Sequence, residues 1–536
     1  MTIAMPSIHY VVILPEIIFA AVALVLVIAT SLVSGRLPRS VGTAAVVAAC
    51  AGAFADCVVQ WVDVSNHGPS TTAAHAVIED GFAVVAVGVI AVALGLSILV
   101  CDGWLARERV DGVELHVLAL ASATGAILMA QANDLVVIFL GLEILSIGLY
   151  VLTAFDRRSS RSGEAAMKYF ILGAFSSAIF VYGIALVYGA SGTTQLAQLA
   201  SFLSQNLLKS PGLLLAGVAL LIVGFAFKVA AVPFHIWSPD VYEGAPTPIT
   251  GYMAAVVKVG AFAAVLRVLS SALFTQQSSW RPIIWALAAL SMVVGAVLAA
   301  VQRNVKRMLA YSSVSHAGFV LMGLWAASPR GTAAALYYLA VYALLAIGSF
   351  AVVTVVSADG REDLSDYRGL AARRPLLAAS FTILLLAQAG VPFTTGFLAK
   401  LAVIEATVAH LGAAGATLGV VAMIATAIGA YFYLRVVVLC YSPPRDVASE
   451  VDEPTRATAR LAAVGGGILV DDDRDGATED RAADAGGADG VAFESTPVPR
   501  ATAVAIGLCV VPTIVFGIWA APLADLASHA TMLFHP

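Results

Sequence analysis

Long apolar runs, each bounded by charges, prolines or polar clusters, recur along the whole chain. A helix needs about 20 apolar residues to cross the hydrocarbon core of a bilayer. The pattern therefore predicts an all-α integral membrane protein with about 14 transmembrane helices. The first run is expected to be a retained span, because no Lys or Arg precedes it as in a cleaved leader. The fourteen runs lie near 9–33, 41–62, 81–101, 114–132, 135–155, 164–190, 212–237, 246–275, 282–302, 307–327, 332–357, 375–408, 411–441 and 501–527.

Composition supports a membrane protein and excludes a soluble one. The 536 residues are 60% hydrophobic and only 12% charged, with a mean hydropathy of +0.92. Such a chain lacks the charge to cover a soluble surface. No basic patch of the kind that binds nucleic acid is present, so the predicted partner outside the protein is the lipid bilayer.

The distribution of charge predicts an orientation. Fourteen Lys and Arg residues fall in short loops on one side of the predicted helices and three on the other. Because cytoplasmic loops retain more Lys and Arg, we expect both termini outside a bacterial inner membrane. Residues 442–499, which hold 13 acids and 5 bases, would then face the cytoplasm. This segment is rich in Ala and Gly and is predicted to be disordered.

The five cysteines give no indication of a metal or disulfide site. All lie in or at the ends of apolar runs, without a Cys-x-x-Cys pair or a Cys/His cluster. We interpret them as small buried hydrophobic side chains, and we expect no metal and no iron–sulfur cluster in this chain.

A short sequence echo predicts an internal repeat. AAVPFHIW at 230–237 lies in the seventh run and AGVPFTTG at 389–396 in the twelfth. Helices separated by five crossings run in opposite directions, so helices 4–8 and 9–13 would be two inverted five-helix repeats with discontinuous helices 7 and 12. The predicted units are 1–113 with three helices, 114–275 and 276–441 with the repeats, the insert 442–499, and 500–536 with the last helix.

The most informative feature is the position of the lysines. Four of the six lie inside apolar runs, at Lys168, Lys228, Lys258 and Lys400, and Glu143 lies near the middle of another. Each such charge costs about 2.5–3.5 kcal/mol at the centre of a span, or about 12–18 kcal/mol for the five. We therefore predict that these side chains have partners, water or a task.

Proton transfer is the chemistry that these residue types permit. A Lys228 ammonium that meets and leaves the Glu143 carboxylate would alternately hold and release a proton. His316 occupies in the second repeat the place of Glu143 in the first, and is a candidate relay or, alternatively, a packing residue. Lys168 lies near the start of its run, where a lysine also reaches the headgroups or a local acid.

Other charged residues in or near apolar runs are expected to form ion pairs or to reach the headgroups. They are Glu16, Asp56, Arg267, Glu405 and Arg435.

Three blocks of sequence resemble the antiporter-like membrane subunits of respiratory complex I, the NADH-quinone oxidoreductase. They are FKVAAVPFHIWSPDVYEGAPTPITGYMAAVVK at 227–258, NVKRMLAYSSVSHAGFVLMG at 304–323 and AGVPFTTGFLAK at 389–400. The SPDVYEGAPTP form is similar to that of the subunit N branch, and the likeness covers roughly residues 80–530. The acidic insert has no counterpart in this family.

The resemblance implies a proton-translocating subunit of an NADH:quinone oxidoreductase. Glu143 and Lys228 would be the coupling ion pair, Lys258 the central relay, Lys400 the terminal donor, and His316 the link between half-channels. NADH, FMN, iron–sulfur clusters and quinone would belong to other subunits, and the partners would be the neighbouring membrane subunits of the complex. The alternative is a subunit of a secondary cation/proton antiporter, which would use the same lysines without a redox partner.

Overall fold

The computed structural model describes residues 8–32, 37–110, 112–206, 211–357, 362–443 and 497–532. These residues are almost entirely helical. A two-stranded antiparallel hairpin, β1 (Ser70–Thr72) and β2 (Val77–Glu79), lies between the second and third helices. Most of the predicted acidic insert, residues 444–496, lies outside the described residues, so its predicted disorder stays a prediction.

The first half of the chain forms eleven α-helices. They are α1 Leu14–Leu32, α2 Arg39–His67, α3 Gly81–Glu108, α4 Val113–Gln131, α5 Leu135–Thr153, α6 Ser160–Ser191, α7 Leu196–Gln205, α8 Pro211–Lys228, α9 Trp237–Gly244, α10 Thr247–Tyr252 and α11 Lys258–Arg267. A π-helical stretch, Met253–Val257, joins α10 to α11, and a second one, Val268–Ala272, follows α11. Together, α10, α11 and the two π-helical stretches form one continuous helical stretch, Thr247–Ala272.

The second half continues with eight more α-helices among the described residues. They are α12 Gln277–Ala300, α13 Val305–Trp325, α14 Pro329–Val356, α15 Leu370–Arg373, α16 Pro375–Ala389, α17 Thr395–Tyr441, α18 Arg500–Ile518 and α19 Ala521–Met532. Short 3₁₀ turns, Phe274–Gln276 and Leu364–Tyr367, precede α12 and α15. The last predicted run, 501–527, is therefore divided between α18 and α19.

Twelve of the described helical stretches are long and apolar enough to cross a membrane. The prediction of about fourteen is recovered when two features are considered. First, α17 is broken at Gly412, whose φ of 54° and ψ of −125° are not helical, so it provides two passes. Second, α13 has the length of a span but is made more polar by its YSSVSH segment.

The chain leaves the helical conformation at both predicted discontinuities. The first break separates α8 from α9 and contains Ala230 with a positive φ of 59°. The second separates α16 from α17 and contains Gly390 and Phe393 with φ of 87° and 65°. Proline removes a backbone donor and obstructs the preceding turn, which explains why both breaks carry the Val-Pro-Phe sequence. The inverted relation of the two repeats stays a prediction.

The core lies around two helical stretches that are buried on every side. The most apolar windows of Thr247–Ala272 and Pro329–Val356 are 94% buried, against 28% for α1. The second of these, α14, packs against α3, α10, α13, α16, α17 and α18 and so connects the two halves of the protein. Close approach of helices requires small residues, as at Gly125 of α4, where a Cβ would collide with the backbone of α5.

Candidate functional site

Lys228 is the last residue of α8 and is buried just before the first break. Its side chain is 4% exposed, and its Nζ donates hydrogen bonds to Ser146 Oγ at 2.7 Å and to Tyr169 OH at 3.4 Å. The Nζ also lies 5.7 Å from the centre of the Tyr169 ring. The predicted burial of Lys228 is therefore confirmed, and its partners in this structure are hydroxyl groups of α5 and α6.

A small cavity adjoins Lys228. It is lined by Ser146, Ser176, Ser177 and Lys228 together with apolar side chains, and the volume open to the centre of a water molecule is about 10 Å³. That volume is close to the minimum for one water, and the polar lining offers it hydrogen bonds. Lys228 thus lies beside a site that suits a single bridging water.

Glu143 lies on α5, one helical turn before Ser146, and does not form an ion pair with Lys228 in this structure. Its side chain is partly buried, and its Oε1 has no hydrogen-bond partner among the described residues. Side chains three positions apart share a helix face, so Glu143 and the Lys228 partner Ser146 face the same neighbours. The predicted pair is therefore open, and Lys228 binds Ser146, one helical turn along α5 from Glu143.

Lys258 begins α11 immediately after the first π-helical stretch and is 3% exposed. Its Nζ donates to the carbonyl of Ser313 on α13 at 2.5 Å and lies 5.7 Å from the centre of the Tyr342 ring. Short π-helical insertions are frequent at functional sites because they shift a side chain relative to its neighbours. Here the insertion directs Lys258 to the helix that carries His316.

His316 is buried, and both of its ring nitrogens have a tyrosine partner. Nδ1 lies 2.7 Å from Tyr338 OH and Nε2 lies 3.1 Å from Tyr433 OH. A ring with hydrogen bonds on both sides can accept a proton at one nitrogen and release one at the other. A buried packing histidine would also have both ring nitrogens hydrogen-bonded, so the role of His316 as a relay stays a prediction.

Tyr433 connects His316 to the second break. Its hydroxyl hydrogen-bonds to Ser312 and His316, and it donates to Gln388 Oε1 at 3.3 Å. Gln388 in turn donates through Nε2 to Ser349 Oγ at 2.7 Å. Four helices, α13, α14, α16 and α17, therefore contribute to one buried polar network.

Lys400 lies on α17 and reaches back across the second break. It is 7% exposed, and its Nζ donates to the carbonyls of Gln388 at 2.9 Å and Ala389 at 3.0 Å. These carbonyls are at the end of α16, where the helix has no further amides to satisfy them. The break therefore supplies the acceptors of Lys400.

Lys168 differs from the other three predicted lysines. Its side chain is 44% exposed, and its Nζ pairs with Glu164 at 2.8 Å and Asp240 at 3.0 Å. Arg307 also binds Asp240, at 2.7 Å. Partial burial alone would raise the pKa of Asp240, but hydrogen bonds and charge from Lys168 and Arg307 hold this pKa below its ordinary value. The local acid considered as an alternative for Lys168 is thus present.

A fourth buried lysine was missed by sequence reasoning. Lys306, which the sequence assigned to a short loop, is 3% exposed and donates to the carbonyl of Ala245 at 2.8 Å. It also pairs with Glu362 at 3.4 Å. Its position at the first turn of α13 hid this burial, since nothing in the local sequence reveals that α9 and the 362–367 segment cover it.

The remaining predicted charges have different outcomes. Arg267 forms a buried bidentate pair with Asp80, with distances of 2.7 and 2.9 Å, which confirms the predicted pairing. Asp56 accepts a hydrogen bond from Gln60. The prediction of an ion pair is wrong for Glu16. Its two carboxylate oxygens are buried without a hydrogen-bond partner among the described residues.

The other two of these charges lie nearer the surface. Glu405 is exposed, and Arg435 donates to the carbonyls of Ala300 and Gln302. All five cysteines are buried free thiols, as predicted.

Together these observations define a class: a multi-pass α-helical membrane protein whose core carries several buried titratable side chains beside two helix breaks. The family model described as "NADH:quinone oxidoreductase/Mrp antiporter, TM" matches residues 132–439, more than half of the chain. The chain therefore belongs to the NADH:quinone oxidoreductase/Mrp antiporter family of transmembrane subunits.

Individual relatives agree with this assignment. The chain is 40% identical over 435 residues to NADH-quinone oxidoreductase subunit N of Trichlorobacter lovleyi, covering 81% of this chain and 88% of the relative. A chain of respiratory complex I from Thermus thermophilus with bound aureothin is 29% identical, with a TM-score of 0.72, over 96% of this chain and 99% of that one. A chain of the Mrp complex from Dietzia sp. DQ12-45-1b has the same fold, with 21% identity and a TM-score of 0.76 over 97% of each chain.

Proposed function

We propose that this chain is the subunit N of a bacterial NADH-quinone oxidoreductase and translocates protons across the membrane. The observation that carries the proposal is that Lys228, Lys258 and Lys400 are each more than nine-tenths buried in the core of the family-matching segment. Among the described residues, each of these lysines has only neutral hydrogen-bond partners. Burying three such charges in an apolar interior has a high free-energy cost, which a structural role alone does not explain. A function in proton exchange explains why all three are present.

The proposed path follows the buried groups from one break to the other. Glu143 and Lys228 are the coupling pair, with Ser146 as the partner of Lys228 when the pair is open. Lys258, which donates to the Ser313 carbonyl on α13, is the next proton carrier, and His316 on the same helix follows it. From His316 the hydrogen-bonded network of Tyr433 leads towards the second break and Lys400, the terminal donor. Lys168 lies at the end of the protein that carries the basic loops and serves as an entry residue.

The driving force comes from outside this chain. Moving one charge against 100 mV requires about 2.3 kcal/mol, which buried lysines alone do not supply. In this proposal NADH oxidation and quinone reduction occur in other subunits, which hold the FMN and iron–sulfur clusters. The chain is thus a translocase subunit without its own redox centre, in contact with the neighbouring membrane subunits.

The proposed orientation follows from the basic loops. Those loops, which carry Arg157, Arg158 and Arg303 among others, face the cytoplasm. Both termini then lie outside, and residues 442–499 are on the cytoplasmic side.

Replacement of Lys228 tests the proposal. In inner-membrane vesicles that contain the assembled complex, Lys228→Ala is expected to abolish NADH-driven proton pumping and to slow coupled NADH oxidation strongly. Glu405→Gln, which neutralises an exposed charge on α17, is the control and is expected to pump like the wild type. Full pumping by Lys228→Ala would overturn the mechanism.

Copurification distinguishes the antiporter alternative. Isolation of the chain in mild detergent is expected to bring flavin and iron–sulfur subunits with it. Isolation with other membrane subunits only, together with cation/proton exchange in the absence of NADH, would instead support the antiporter.

A further inference from the structure

A group of buried polar side chains lies at one end of helices α1, α2 and α4, on the side opposite the basic loops. It consists of Glu16, Asp56, Gln60, Glu79 and Gln131, each more than nine-tenths buried. We call it the outer carboxyl cluster. All five residues precede the segment that matches the family model, which begins at residue 132. The hydrogen bonds of the cluster involve none of Lys228, Lys258 and Lys400.

The two amides of the cluster have fixed orientations. Gln60 Nε2 donates to the Val11 carbonyl at 2.8 Å and to Asp56 Oδ2 at 2.6 Å. Gln131 Nε2 donates to the Val12 carbonyl at 3.1 Å. Because the NH₂ groups are the donors in these bonds, the amide oxygens of Gln60 and Gln131 point elsewhere. The adjacent carbonyls of Val11 and Val12 hold both amides beside the start of α1.

The cluster has more acceptors than donors. Both oxygens of Glu16, one oxygen of Glu79 and the amide oxygens of Gln60 and Gln131 are buried without a hydrogen-bond partner among the described residues. No described Lys or Arg forms an ion pair with Glu16, Asp56 or Glu79. Polar groups in a protein interior are normally hydrogen-bonded, so five acceptors without donors indicate that a positively charged or donating species binds here.

The ionisable neighbours of Glu16 do not supply that species. On α2 these are Asp56, which is itself an acid, and the neutral thiol of Cys57. The hairpin contributes Glu79, and α4 contributes only the amide of Gln131 at this end. His9 lies on the segment before α1, where its backbone nitrogen donates to Thr72. The His9 imidazole and the Asp63 carboxylate of α2 interact electrostatically with Glu79. Neither of them is an ionisable neighbour of Glu16. The surroundings of Glu16 are therefore acidic and rich in acceptors.

We propose that the outer carboxyl cluster is a proton-binding site and that Glu16 holds the proton at neutral pH. A protonated carboxyl has one O–H donor and keeps an acceptor, so it supplies a donor to a neighbouring acceptor. An ionised Glu16 would instead bury two unpartnered negative oxygens near a second carboxylate, which is costly. Its place in the first turn of α1 favours the anion, but this effect is smaller than the loss of hydration.

Infrared difference spectroscopy on the complete complex tests the proposal. Between neutral and alkaline pH, the wild type is expected to lose the carbonyl stretch of a protonated carboxyl, and Glu16→Gln is expected to lack that band. Asp63→Asn is the control, since Asp63 lies on the same side near the end of α2 but is exposed and paired with His67. It is expected to leave the band unchanged. An identical band in wild type and Glu16→Gln would overturn the proposal.

A second measurement needs no variant. Dicyclohexylcarbodiimide reacts with protonated carboxyls in apolar surroundings, so mass spectrometry of labelled wild-type complex is expected to find the adduct on Glu16 and not on Asp80. Absence of label on Glu16, in a preparation whose other carboxyls react, would contradict the proposal. Protection of Glu16 by Na⁺ at constant pH would assign the cluster to a metal cation and would overturn the proton assignment.

Discussion

The hydroxyl of Tyr433 is the point at which the proposed path is most sensitive to a small change. Tyr433→Phe removes one oxygen and leaves the buried ring, which packs against Phe432, in place. Gln388 Oε1 then loses the donor described for it, whereas His316 keeps Tyr338. A buried acceptor left without a partner costs about 1–3 kcal/mol, and we expect the free energy of unfolding to fall by that amount.

The effect on transport is expected to be larger than the effect on stability. The hydroxyl lies 3.1 Å from His316 Nε2 and 3.3 Å from Gln388 Oε1, so it joins both groups in one hydrogen-bonded chain that Tyr433→Phe interrupts. Proton transfer requires heavy atoms about 2.6–3.2 Å apart or one intervening water. Since positioned proton-transfer groups contribute about 10²–10⁴-fold to rates, a slowing of at least about tenfold is expected.

The assay compares proton uptake with NADH oxidation in proteoliposomes that contain the whole complex. A pH-sensitive dye reports pumping, and the ratio of the two rates separates a pumping defect from poor assembly. Tyr367→Phe is the control, because Tyr367 is fully buried and its hydroxyl has no hydrogen-bond partner among the described residues. It is expected to pump normally. Normal pumping by Tyr433→Phe, or an equal loss in both variants, would refute a role of this hydroxyl in the path.

Two further predictions concern the scaffold. Arg267→Met removes the guanidinium that binds the buried Asp80 carboxylate at two points and is expected to destabilise the protein by about 3–5 kcal/mol. Addition of Asp80→Asn is expected to restore most of the lost thermal stability. Equal melting temperatures for the single and double variants would contradict this prediction. Gly396→Ala places a Cβ against the backbone of α16 and is expected to prevent stable assembly, measured as complex recovered from membranes. Gly163→Ala, which meets open space on α6, is expected to be recovered like the wild type, and similar recovery of both variants would show that the helices adjust.

The burial of the three lysines beside the helix breaks and in α11 was predictable from local sequence. Lys228, Lys258 and Lys400 each stand among apolar neighbours, and a helix surrounded by such residues has no polar face to present to water. The breaks after α8 and α16 were predictable for a similar reason, since a proline disrupts its own helix wherever that helix packs. The sequence missed Lys306, because its burial depends on chain segments far from it in sequence.

The partners of these charges were not predictable, because they come from distant parts of the chain. Ser146 lies 82 positions from Lys228, and Tyr433 lies 117 positions from His316. Serine and tyrosine in an apolar run are ordinary residues, and nothing in their own neighbourhood marks them as members of a network. Only the packing of α13 against α17, and of α6 against both α5 and α8, brings these hydroxyls to the ring and the ammonium.

The difference between the predicted and observed partners of Lys228 bears directly on the mechanism. The sequence indicated the carboxylate of Glu143, and the structure shows the hydroxyl of Ser146, one helical turn further along α5. A lysine has a long flexible side chain, so two acceptors on one helix face are alternative partners for the same ammonium. A proton relay requires such an alternation. A permanent ion pair with Glu143 would keep Lys228 protonated, and a permanent separation would remove the influence of Glu143 on the Lys228 proton. The open pair with its hydroxyl partner therefore represents one of the two states that the proposed coupling needs.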